Sequence, residues 1–165
     1  MSQRHSLCRG GERKLAGVWD EQVKADVVGR IAAVDKPWAA EAAQVVDTRL
    51  GKYAADWAAM FQEACEATRI RGEQSEAVMS LRMVCLDKRL KEVHALTSLL
   101  RSGDDSVLAK SVDAVHALSS LNGCADIALL TAPVSIPEDP AVRAKIEAVS
   151  TRLADAKALH DAGKF

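Results

Sequence analysis

The chain has 165 residues, 48% hydrophobic and 27% charged, enough for one domain with a hydrophobic core. Its 22 Lys and Arg stand against 23 Asp and Glu, a formal net charge of −1, so no bulk field directs it to nucleic acid or to an anionic membrane. No window approaches the roughly 18–20 uninterrupted apolar residues that span a bilayer, and the polar start, Met1 to Arg9, lacks the apolar run of a secretory signal.

Glycine and proline are scarce, and β-branched residues form no alternating runs, which predicts an all-α fold. Residues 1–10 read as an N-terminal tail. A first helix is expected from Gly11 or Glu12 to about Val34, because Leu15, Trp19, Val23, Val27, Ile31 and Val34 recur every three or four residues. Pro37 stops it and suits the first turn of a second helix, from about Trp38 to Arg71, with a stripe of Trp38, Val45, Leu50, Tyr53, Trp57, Phe61 and Ala64. Gly72 fits a C-terminal cap and Ser75 an N-cap.

A third helix follows from about Glu76 to Arg101, then a turn at Ser102-Gly103-Asp104-Asp105 and a fourth helix from about Ser106 to Leu121, broken by Asn122-Gly123. A short helical turn is expected at Ala125 to Leu130. Residues 132–140 form a Pro-rich linker, and Val142, Ile146, Val149, Leu153 and Leu159 mark a last helix within 141–165, ending at Gly163. Two consecutive pairs with short connections read as antiparallel hairpins, so residues 11–131 should form a helical bundle.

Cys8, Cys65, Cys85 and Cys124 form no C-x-x-C pair, which leaves a zinc ribbon or thioredoxin-type motif unsupported. Cys8 precedes the first helix and Cys65 lies near the far end of the second, so an antiparallel hairpin brings both to one end. Cys85 lies 18 residues before Gly103 and Cys124 lies 21 after it, both roughly 27–30 Å from the turn at about 1.5 Å per residue. The expectation is two disulfides, Cys8–Cys65 and Cys85–Cys124, and with them an oxidising compartment. The alternative is four buried free thiols in a cytosolic domain.

Of the histidines His5, His94, His116 and His160, two could join Cys85 and Cys124 in a zinc site. Cys85 and His94, however, stand roughly 13–14 Å apart along one helix, too far for one tetrahedral centre. Asp113 and His116 have the spacing of a bundle metal motif, but the second motif of a di-metal site is absent. Trp19, Trp38, Trp57 and Tyr53 read first as core and second as the lining of a small-molecule pocket. No phosphate loop, nucleophile elbow or H-E-x-x-H motif occurs, so neither a catalytic residue nor a cofactor site is assigned. The polar turn from Arg71 to Glu76 reads as capping and solvated charge, or as a recognition loop in which Arg71, Glu73, Gln74 and Glu76 contact a partner.

Cys8 to Asp20, Glu63 to Glu76 and Leu81 to Leu90, followed by Cys124-Ala-Asp126 and Pro137 to Arg143, together resemble the helical segment between the kinase domain and the tetratricopeptide array of large myxobacterial-type serine/threonine protein kinases. Ala158 to Phe165 resembles the start of a tetratricopeptide repeat. The resemblance covers nearly the whole chain and includes all four family cysteine positions. In that family the segment commonly follows a transmembrane helix, which implies an extracytoplasmic place in a membrane-anchored parent, with no membrane contact by the segment itself. The glycine-rich, H-R-D and D-F-G motifs of a kinase are missing, so the chain is expected to be a fragment or a short reading frame without kinase activity. The resulting expectation is a non-enzymatic sensory or scaffolding domain with a protein or peptide partner. A small-molecule-binding bundle and a cytosolic linker are the alternatives.

Overall fold

The computed structural model describes residues 8–132 and 137–164. Its α-helices are α1 (Gly11–Lys14), α2 (Glu21–Ala32), α3 (Ala39–Arg69), α4 (Glu76–Ser102), α5 (Asp105–Leu108), α6 (Ser111–His116), α7 (Ile127–Leu130) and α8 (Pro140–Asp161), with a 3-10 turn at Asn122–Cys124. No strand occurs among the described residues, as an all-α fold requires. α2, α3 and α4 pack on one another, α6 lies across α3, and α8 docks along α4.

The main core joins Val23, Val27 and Ile31 of α2, Val46 and Leu50 of α3, and Val93, Leu96 and Leu100 of α4. On α3 the inner stripe runs through Ala42, Ala43, Val46, Leu50, Ala54 and Trp57, with Val45 only half-buried. These alanines leave room for α2 to approach closely. A second cluster gathers Trp57, Leu86, Leu121 and Cys124 farther along the bundle.

The predicted first helix is two. Gly17 takes a left-handed φ of 74°, which a glycine reaches without steric cost. Asp20 then caps α2, its carboxylate accepting from the amides of Gly17 at 2.6 Å and Val23 at 2.9 Å. The apolar stripe continues across this break, which is why periodicity alone reads one helix. The α3–α4 turn matches expectation. The Glu73 amide donates to the Ala67 carbonyl at 2.8 Å across Gly72, and the Ser75 hydroxyl accepts from the Val78 amide at 3.2 Å.

The predicted fourth helix is also divided, into α5 and α6, and ends at His116 rather than Leu121. Past His116, tertiary bonds replace helical ones. The Ser119 amide donates to Glu92 at 3.2 Å, and its carbonyl accepts from the Tyr53 hydroxyl at 2.8 Å. The last helix starts at Pro140, with Asp139 as N-cap accepting from the Ala141 amide at 2.8 Å. It is not held apart from the bundle: Ala154 and Ala158 pack with Ala95 of α4.

Candidate functional site

Both expected disulfides are formed. Cys8 and Cys65 lie 5.5 Å apart between Cα atoms and Cys85 and Cys124 lie 5.4 Å apart, within the ordinary range for such bridges. The first ties the segment before α1 to the far end of α3. The second ties α4 to the 3-10 turn at Asn122–Cys124, so the expected pairing survives although the helix thought to carry it is broken. With every described cysteine bridged, neither Cys85 nor Cys124 is available to a metal. No cluster of three or more His, Cys, Asp or Glu side chains that could hold a metal occurs among the described residues. His94, His116 and His160 are exposed, and His5 lies outside the described residues.

The turn from Arg71 to Glu76 is exposed, but its polar groups are engaged with the protein itself. Arg71 pairs with Glu63 at 2.5 Å and Glu73 at 2.8 Å, and approaches Glu66 at 3.8 Å. Glu73 and Glu63 hold the guanidinium's pKa above its usual value. Glu76 approaches Arg69 at 3.6 Å. Gln74 turns inward, where its amide nitrogen donates to the Ala64 carbonyl at 2.8 Å and the Thr68 hydroxyl at 2.9 Å. Its oxygen accepts from Arg82 at 3.1 Å, and the buried Arg82 also donates to the Cys124 carbonyl at 3.2 Å. Gln74 and Arg82 thus brace α3, α4 and the second disulfide together. Neither residue's bracing role had a signal in the sequence beyond the unusual placement of Arg82 on an inner helical face.

The aromatic residues do not converge on one cavity. Trp19 is buried and Trp38 partly buried in the main core, whereas Trp57 sits in the second cluster and donates its indole N–H to the Leu86 carbonyl at 2.8 Å. Trp57 stacks on Phe61 with ring centroids 5.4 Å apart. An open groove of about 650 Å³ runs beside α3, lined by Tyr53, Met60, Arg82, His116 and Leu121 among others, with no tryptophan among its described lining residues. Burial and the neighbouring Glu92 raise the Tyr53 pKa well above its ordinary value, and its hydroxyl donates to the Ser119 carbonyl.

The surface that helical periodicity left unassigned lies on α8. Val142, Ile146, Val149, Leu153 and Leu159 are 38%, 50%, 52%, 64% and 42% exposed, while Ala154 and Ala158 of this helix are buried against the bundle. The apolar stripe that marks the helix in sequence is therefore its outer face. No described helix is long and apolar enough to cross a membrane.

The chain matches no protein-family model, no curated protein and no solved structure.

Proposed function

We propose that this chain is a non-catalytic interaction domain, a sensory or scaffolding segment of a bacterial serine/threonine kinase signalling protein lying outside the cytoplasmic membrane. The observation that carries the reading is the pairing of all four cysteines, at the positions through which the sequence resembles the kinase-linked segment, into two bridges. Such bridges persist in oxidising compartments, which favours the extracytoplasmic place over a cytosolic linker. The rigid helical body supports a role in presenting a surface to a protein or peptide. The groove beside Tyr53 is the observation that favours small-molecule binding instead, but its open form and mixed lining fit a surface channel better than an enclosed ligand site.

The test is photo-crosslinking in the producing cell, with the photoreactive residue placed in turn on α3, α4 and α8 of the exported, oxidised chain. The expected result is a specific protein adduct from at least one position, lost when all four cysteines are replaced by alanine. Absence of any specific adduct from every position would overturn the reading.

A further inference from the structure

α8 has two unlike faces. Toward α4 it turns Ala154 and Ala158, which are buried, and it is anchored by an ion pair of Glu147 with Lys91 at 2.5 Å. The Lys157 ammonium adds a bond to the Ala117 carbonyl at 2.8 Å and pairs with Asp161. Away from α4, Val142, Ile146, Val149 and Leu153 follow one another at steps of four, three and four residues. That alternation is the seam of a helix that packs lengthwise against another helix, and it runs for about 16 Å at 1.5 Å per residue. Single exposed apolar residues are ordinary on any surface. Here, five of the eight large exposed hydrophobics among the described residues lie on this one helix.

The borders of the seam are basic. On a helical wheel Lys145 and Arg152 fall along one edge and Arg143 along the other. All three are exposed, and none has an ion pair among the described residues. The acids of the helix are directed elsewhere, Glu147 to Lys91 and Asp161 to Lys157, while Asp155 falls away from the seam. Two copies of α8 laid seam to seam would place basic edge against basic edge in either orientation, which is unfavourable. A helix whose apolar stripe is edged by carboxylates would bury the same seam and neutralise both borders.

We propose that the outer face of α8, built on Val142, Ile146, Val149 and Leu153 and edged by Arg143, Lys145 and Arg152, is the docking surface for an amphipathic helix of a partner protein whose apolar stripe is bordered by Glu or Asp. This deepens the interaction-domain reading and rests on it. The mode is helix-on-helix packing, with the seam supplying affinity and the basic edges supplying partner choice.

The test uses the oxidised full chain and two labelled designed peptides of about three heptads each, with leucine at the seam positions and either Glu or Lys at all flanking positions. Fluorescence anisotropy reads binding at low salt, where charge borders are least screened. The expected result is saturable binding of the Glu-flanked peptide at least roughly tenfold tighter than of the Lys-flanked one. The variant Ile146→Ser/Leu153→Ser should weaken it by roughly tenfold or more without lowering the melting temperature, because both side chains are exposed. The variant Arg143→Glu/Lys145→Glu/Arg152→Glu should invert the preference. Binding of neither peptide, equal binding of both, or a concentration-dependent dimer in sedimentation that Ile146→Ser/Leu153→Ser abolishes would overturn the proposal. A partner adduct retained by Ile146→Ser/Leu153→Ser in the cell would overturn this surface alone and leave the interaction-domain reading standing.

Discussion

A methyl group on Gly103 would lie 2.6 Å from Cγ1 of Val107 and 2.8 Å from the Leu99 carbonyl oxygen. Val107 is buried and β-branched, so it has little freedom to give way. Gly103→Ala is therefore expected to lower stability by about 1–3 kcal/mol, as overpacking does. Gly29 is the contrast, an exposed position inside α2 where an added methyl meets nothing within 4 Å. Gly29→Ala is expected to raise stability by up to about 1 kcal/mol through helix propensity alone. Urea unfolding of both variants checks the pair; an unchanged or raised stability of Gly103→Ala would contradict the packing at Gly103, and a lowered stability of Gly29→Ala would contradict the open face at Gly29. The turn at Gly103 is legible in sequence; the crowding that requires glycine there is not, because Val107 and Leu99 meet only once the chain has turned.

Capping carboxylates hold the starts of α2 and α5. Asp20 holds the start of α2 by accepting from the Val23 and Gly17 amides, and these bonds keep its pKa below the ordinary value of 3.8. Asp104 holds α5, where Lys164, Ser106 and the Val107 amide keep its carboxyl well below the usual carboxylate range. A carboxylate with a depressed native pKa adds stability above its unfolded pKa, and that contribution is lost as pH falls through the lower native value. Urea midpoints should accordingly decline as pH drops from about 5 toward 2. Asp104→Asn keeps an N-cap and removes the charge that faces Lys164, so its midpoint should depend less on pH over the same window. An unchanged slope would show that the Lys164 pair does not act in solution. Ser75 caps where the sequence places it, whereas the Asp139 cap falls inside the stretch read as a linker. Asp20 was equally visible, but a continuous stripe from Leu15 to Val34 masks the break at Gly17.

At the scale of the whole molecule the two disulfides close loops of 57 and 39 residues, for which chain entropy gives about 4 kcal/mol each. They differ in what surrounds them. Cys8 and Cys65 sit with Met79 in a small satellite cluster, whereas Cys124 is fully buried against Trp57 and Leu86. Cys85→Ala/Cys124→Ala should therefore lower the melting temperature more than Cys8→Ala/Cys65→Ala, despite its shorter loop, because it also leaves a void in packed surroundings. Thermal melts of the two double variants check this, and the reverse order would mean that loop length outweighs packing. The all-α class, the α3 and α4 helices, the Gly72–Ser75 connection and the cysteine pairing were all open to the sequence, since each rests on local periodicity, capping or distance along a helix. Three features were settled by tertiary contact alone. The helix expected from Ser106 to Leu121 ends at His116, where Glu92 and Tyr53 claim the backbone of Ser119. Gln74 leaves the polar turn to brace Arg82. α8 docks through Ala154 and Ala158 and leaves Val142, Ile146, Val149 and Leu153 outside, because periodicity reveals that a helix has an apolar stripe but only the shape and charge of its neighbour decide which face it buries.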